Sequence, residues 1–336
     1  MIRDSSSAEM VETLPRLGVL GAGWIGRNRL GTLVREDLAQ VTAVADPRPE
    51  ALEAVAELVP QAEPEDDLEA LFEHDLDGIV IATSRELHAG QAIAALERGL
   101  TVFCQKPLAR DAGETRRVLT AAREADRLLG VDLPYRHVEA LRAAHRAIED
   151  GEIGLLHSVD LSFHDAYGPD KPWFTKPESA GGGCLVNLGT HLVDLALWLT
   201  GATAFEVATA RTLSLQGHGV EDNATAELML GDDEVRARLA CSWFQATGGE
   251  CAFECTAWGT DGAVSVRNVG GSFCDFRAEL WRGTSSEVLV EPPDDWSGGA
   301  IGDWATRLAY DRSYDPAAEE LGLLARALDD VYAKAK

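Results

Sequence analysis

The sequence predicts an α/β protein with two unlike halves: an N-terminal doubly wound parallel sheet, then an α+β domain with an open, mainly antiparallel sheet. Three observations carry this expectation. Apolar runs at 41–45 and 78–82 alternate with helical patterns, as parallel strands covered on both faces require. A glycine-rich turn lies between the first strand and the first helix. Beyond residue 132 the strands lengthen and alternate. Val235, Ala237, Leu239, Cys241 and Trp243 then fall on one face, with Glu234, Arg236, Arg238 and Ser242 on the other.

Taken in order, residues 1–15 have little to bury and are expected to form a flexible arm. The first domain spans 16–133. Its strand at 17–20 runs into a helix after Gly23, and the strand at 41–45 into a helix at 50–58. An acidic helix is expected at 65–73, a strand at 78–82 and a helix at 87–98. A strand at 101–104 and a long helix at 112–128 close the alternation. The second domain, 134–336, opens with a helix at 138–149 stopped by Gly151, whose left-handed tolerance suits a helix end. Strands are expected at 155–164, 226–230, 234–243, 251–258, 263–269 and 279–281, with helices at 188–199 and 316–333. This half is read as the substrate-binding and oligomerisation domain.

Composition narrows the functional classes. A chain of 336 residues suits about two domains. No apolar run approaches the roughly 18 residues of a membrane helix, so no membrane partner is expected. Both halves are acidic, and the net charge of −26 repels a phosphate backbone, which argues against nucleic acid. Only five of the 30 basic residues are lysine, so each lysine is an unusual choice. The six cysteines form no CxxC pair and residues 1–15 lack an apolar signal core. Unpaired thiols in a reducing cytoplasm and no metal site are therefore expected.

The turn Gly21-Ala22-Gly23-Trp24-Ile25-Gly26 gives the cofactor expectation. Gly21 permits a tight turn, Gly23 lets the backbone approach a pyrophosphate, and Gly26 lets the helix pack closely on the sheet, with its N-terminus facing the anion. Asp46, twenty residues beyond Gly26, ends the second strand where an acid can accept the adenosine ribose hydroxyls. Such a carboxylate repels a 2′-phosphate, so NAD is expected; Arg48 can pair with that phosphate or pack on adenine, which keeps NADP open. The strand at 101–104 delivers Gln105-Lys106-Pro107 at its carboxyl end, where doubly wound sheets bind ligands. Lys106 is the only lysine in the first 170 residues, and its compact ammonium can shift its pKa and hold a substrate oxygen.

These runs, with Ala82-Thr83-Ser84-Arg85-Glu86-Leu87-His88 and the stretch from Gly181-Gly182-Gly183 through Asn187 and His191 to Asp194, resemble the glucose–fructose oxidoreductase/inositol dehydrogenase/rhizopine catabolism (Gfo/Idh/MocA) family over nearly the whole chain after residue 15. The resemblance implies an N-terminal Rossmann domain and an NAD(P)-dependent dehydrogenase or reductase of sugars, cyclitols or their derivatives, forming a homodimer or homotetramer. It places the family's catalytic lysine on Lys106 and its proton-carrying histidine on His191, with Asn187 positioning a hydroxyl. It counts Trp24, Ile25, Thr83, His88 and Gln105 on the cofactor side, His88 in a structural role. It draws substrate contacts from Arg136, His137, His164, Asp165, Tyr167, Trp173 and Phe174.

Two departures stand out. Gln105 replaces the family's usual glutamate, and Asn187 its usual aspartate, so the pocket loses two negative charges. An amide at 187 still hydrogen-bonds a hydroxyl but cannot stabilise a protonated His191 as a carboxylate does. A pocket so altered suits an anionic or amino-modified substrate, another redox direction, or no turnover. Two alternatives remain open: a lyase- or glycosidase-type enzyme that retains its NAD, and a non-catalytic dinucleotide-sensing binding protein. Asp194 is expected to hydrogen-bond within its helix region.

Overall fold

The computed structural model describes residues 14–169, 175, 181–232, 235–294 and 298–335. Its first sheet comprises β1 (Arg16–Leu20), β2 (Gln40–Ala45), β3 (Glu63–Glu65), β4 (Gly78–Ile81), β5 (Thr101–Cys104) and β6 (Leu129–Val131). All neighbours run parallel in the order β3-β2-β1-β4-β5-β6. The strand order reverses direction between β1 and β4, which opens a crevice at their carboxyl ends. Helices α1 (Trp24–Arg35), α2 (Pro49–Ala56), α3 (Leu68–Leu71), α4 (Arg85–Glu97) and α5 (Ala112–Ala125) connect the strands. Every residue of β4 and β5 is buried, as their unbroken apolar runs require.

The second sheet has eight strands: β7 (Leu156–Asp165), β8 (Phe205–Leu213), β9 (Asn223–Leu230), β10 (Val235–Ser242), β11 (Cys251–Gly259), β12 (Ala263–Asn268), β13 (Phe276–Arg282) and β14 (Ser285–Val290). Their order is β14-β13-β12-β11-β7-β10-β9-β8. All pairs are antiparallel except β10 with β7, which run parallel. Helices α6 (Glu139–Glu149) and α7 (Thr190–Thr200) cover one face, and Val159, Leu161, Phe163, Leu239 and Phe253 fill the core beneath them.

The last two helices return to the first half. In α8 (Gly299–Tyr310), Ile301, Trp304, Ala305 and Leu308 join Val19, Phe103 and Leu128 in one core. The Trp304 ring lies 5.5 Å from that of Phe103. A Cβ on Gly130 would meet the same indole at 2.6 Å, so the strand can carry only glycine there. Helix α9 (Glu320–Lys334) follows a 3-10 turn and packs along α5 and α7.

Four differences from the sequence reading have physical causes. Residues 63–65, expected to lead into an acidic helix, form an edge strand, and only 68–71 coil, capped by the Asp67 side chain on Ala70 N–H. The helix expected to reach 128 ends at Ala125, where Asp126 takes a left-handed conformation (φ 51°). The helix expected from 188 is preceded by a π-helical turn, Leu185–Gly189. Strands β8 and β14 and helix α8 went unseen: both strands are sheet edges with few buried positions, so they carry little alternation. No helix among the described residues is long and apolar enough to cross a membrane.

Candidate functional site

The glycine turn has the shape its spacing suggests. Gly21 has φ +99°, and a Cβ on it would lie 2.5 Å from Ala82 O. A Cβ on Gly26 would lie 2.0 Å from Gly21 O, so helix and strand meet backbone to backbone. Gly23 differs: its Cβ position is open, with Arg48 Nη2 the nearest atom at 3.9 Å. Gly23 also N-caps α1 without a side-chain capping bond. The result is an uncapped helix N-terminus behind an open cradle, which fits a pyrophosphate. Trp24 is largely exposed at its rim and Ile25 half-buried.

Asp46 sits beside this cradle, buried, and accepts from Ala22 N–H at 2.9 Å. Arg48 clasps the same carboxylate through Nε and Nη2, both at 2.9 Å, and through its backbone N–H at 3.0 Å. Burial pushes the Asp46 pKa up, but the Arg48 and Ala22 hydrogen bonds outweigh it and hold the group below its usual value. Arg48 is therefore engaged by Asp46 and does not stand free for a 2′-phosphate, while half of its side chain stays exposed beside the cradle. Thr83 donates its hydroxyl to Gln91 Oε1 at 2.6 Å. His88 lies 2.9 Å from Pro107 O and 3.0 Å from Thr83 O, tying α4 to the turn after Lys106.

Across the crevice, Lys106 and Asn187 meet. The Lys106 ammonium donates to Asn187 O at 2.7 Å and to its Oδ1 at 3.1 Å. Burial, with help from the nearby Arg85, pushes the Lys106 pKa down to about 8, against an opposing pull from Asp132. His191 lies one turn further on, buried, its ring edge-on to Tyr135 at 4.8 Å. Its buried Nδ1 has no hydrogen-bond partner among the described residues. Burial and the positive charges of Lys106 and Arg29 hold its pKa well below the usual value, so it is neutral at pH 7. The turn bearing Asn187 is pinned by Glu221, whose Oε1 accepts from Gly183 N–H, Leu185 N–H and Tyr332 O–H.

Beneath Lys106 lies a cluster the sequence reading missed. Arg29 and Asp132, each 1% exposed, form an ion pair at 2.6 Å. Gln105 donates its side-chain amide to the same Asp132 oxygen, while Asp132 Oδ1 has no partner. A carboxylate thus does stand beside position 105, supplied by the end of β6. The signal for Arg29 was its place on the apolar stripe of α1 with Gly26, Leu30 and Leu33.

The expected substrate residues scatter. Arg136 does not offer its guanidinium to a ligand: it is bound bidentately to Asp194 (2.6–3.1 Å) and to Glu320 at 2.8 Å. Asp194 accordingly pairs across the fold and not within its own helix. Asp165 turns inward and accepts backbone N–H groups from the loop after β7, including that of Gly168. Tyr167 is more than half exposed. His164 pairs with Ser242 at 2.7 Å and His137 with Asp303 at 3.2 Å. Trp173 and Phe174 lie outside the described residues.

Comparison with known proteins agrees with this architecture. Residues 15–133 match the description "Oxidoreductase family, NAD-binding Rossmann fold", and 141–265 match "GFO/IDH/MocA C-terminal domain". A 1,5-anhydro-D-fructose reductase of Ensifer adhaerens is 30% identical over 76% of each chain. A putative UDP-kanosamine synthase oxidoreductase subunit of Amycolatopsis mediterranei is 32% identical over 68% of each. Among solved structures, the 3-ketoreductase KijD10 of Actinomadura kijaniata, in complex with NADP and TDP-benzene, superposes with a TM-score of 0.83 at 24% identity, covering 96% of this chain and 98% of that one. GenD2 from gentamicin A biosynthesis, in complex with NAD, gives 0.82 at 24% identity, covering 100% and 97%. The chain belongs to the Gfo/Idh/MocA family of NAD(P)-dependent oxidoreductases.

Proposed function

We propose that the protein moves a hydride between the nicotinamide of NAD(P) and a ring carbon of a sugar, cyclitol or derivative. The observation that carries this reading is the meeting of Lys106, Asn187 and His191, drawn from two domains, at the crevice beside the glycine cradle. Gly21, Gly23 and Gly26 would hold the pyrophosphate and the Asp46–Arg48 pair the adenosine end; the cofactor, when bound, supplies hydride chemistry. The chain itself orients one oxygen and moves one proton.

Lys106 at pH 7 is mostly protonated, whereas His191 is neutral. Lys106 is therefore the group that brings a proton to the substrate oxygen when a ketone is reduced to a carbinol. In the reverse direction the neutral Lys106 takes that proton back, with His191 buried and neutral beside it. Asn187 holds the ammonium through its carbonyl and side-chain oxygens, so that a substrate oxygen replaces one of these contacts without reorganising the lysine.

The test is a 340 nm assay over inositols, aldoses, amino sugars and their keto forms, run with the wild type and Lys106→Ala. Loss of turnover by about a hundredfold or more in the variant is expected, with cofactor binding still measurable by fluorescence quenching. Retained activity would remove Lys106 from the mechanism. Turnover without net NADH would favour the NAD-retaining lyase, and cofactor binding with no turnover of any substrate the sensor.

A further inference from the structure

Arg85, the buried cation that bears on Lys106, takes part in none of the ion pairs of the crevice among the described residues. Arg85 opens α4 at the crevice and is 9% exposed, yet its Nε makes no hydrogen bond and it has no ion pair among the described residues. A buried guanidinium N–H without an acceptor is costly, and among the described residues nothing meets this one. Neither neighbouring carboxylate serves it: Glu86 points to solvent, and Glu221 is taken up by two backbone amides and Tyr332. Ser84, which caps α4, makes no side-chain capping bond, so the positive end of a 13-residue helix adds to the same spot.

Its position points towards the substrate side. Arg85 Nη2 lies 3.3 Å from where a Cβ on Gly181 would stand, at the glycine turn leading to Asn187. It is close enough to Lys106 to bear on its charge. Arg48 meets the glycine turn at Gly23, whereas the backbone leading to Arg85 meets it at Gly21 through Ala82 and Thr83. Lys106, Arg29 and Arg85 set three positive charges around the crevice against Asp132 and Glu221, both already engaged. With Arg29 neutralised by Asp132, Lys106 and Arg85 face the single carboxylate of Glu221, a net positive spot in a chain of net charge −26.

We propose that Arg85 is an anion anchor, and that the substrate is a sugar or cyclitol bearing a carboxylate or phosphate. This rests on the oxidoreductase reading above, but its test does not depend on turnover. The guanidinium fork would take the anion bidentately, fixing the ring while Lys106 engages the reacting oxygen.

The experiment titrates the NAD- and NADP-loaded protein with glucuronate, glucose 6-phosphate and glucose by calorimetry, for wild type, Arg85→Lys and Arg85→Gln. Expected is binding of at least one anion, carboxylate or phosphate, about tenfold or more tighter than glucose. That preference should vanish in Arg85→Gln and return in part in Arg85→Lys, with NAD affinity alike in all three. Equal binding of glucose and both acids overturns the proposal, as does a preference that survives Arg85→Gln. An equal loss of NAD affinity in Arg85→Gln overturns it too, assigning the residue to the cofactor's pyrophosphate. Anion preference without turnover would leave the anchor standing and count against the hydride-transfer reading; turnover of neutral sugars only would do the reverse.

Discussion

At the scale of single residues, the decisive change is the amide at 187. With an aspartate there, Lys106 would face a charge; with Asn187 it faces two dipoles, and burial prevails, bringing its pKa to about 8. The pH dependence follows. A reduction that needs the protonated lysine should fall as pH rises through about 8, while an oxidation should rise over the same window, measured as kcat/KM in each direction. Asn187→Asp should shift that limb upward by about one unit or more, since an adjacent opposite charge favours the ammonium. An unmoved limb would mean that another group titrates.

Asp132 acts at the same scale through a different energy. Its ion pair with Arg29 is wholly buried, so losing the carboxylate leaves the Arg29 charge without its counter-charge. Asp132→Asn should lower unfolding stability by about 3–5 kcal/mol, read by chemical denaturation. Neither partner was evident from the sequence, because β6 is three residues long and an acid after it reads as linker. Lys106 was evident, since scarcity and a strand end singled it out. Arg136 was misread because nothing in one dimension shows that Asp194, 58 residues on, lies in reach.

At the scale of elements, local chemistry made the turn at 21–26 readable. Each glycine there answers a distinct steric demand, and the demand at Gly26 is the severest, since backbone cannot yield as a side chain can. Gly26→Ala should cost about 1–3 kcal/mol of stability by overpacking and weaken cofactor binding about tenfold or more, both measurable on one sample by denaturation with and without NAD. The covered strands β4 and β5 were equally legible, because continuous burial leaves a run without polar alternation. Edge strands were not: β14 is exposed or half-exposed throughout, so no periodicity distinguishes it from a loop. The parallel pairing of β10 with β7 is a property of topology that no local pattern records.

At the scale of the whole molecule, the two halves are joined by more than the linker near residue 133. Trp304, from the far end of the chain, sits in the core of the first sheet between Phe103 and Gly130. Trp304→Ala should destabilise the protein by about 3 kcal/mol, at the low end for a buried tryptophan because its indole N–H has no partner to lose. The loss should appear in the unfolding of the NAD-binding half, followed by the fluorescence of bound NADH.

That return of the chain has a bearing on synthesis. The first 133 residues leave the ribosome with Val19, Phe103 and Leu128 uncovered on the side where α8 belongs, and about 165 further residues must be made before Ile301 and Trp304 arrive. The NAD-binding half thus precedes part of its own cover by the whole second sheet, and the nascent chain carries an apolar face that stays open until residues 299–310 have been made.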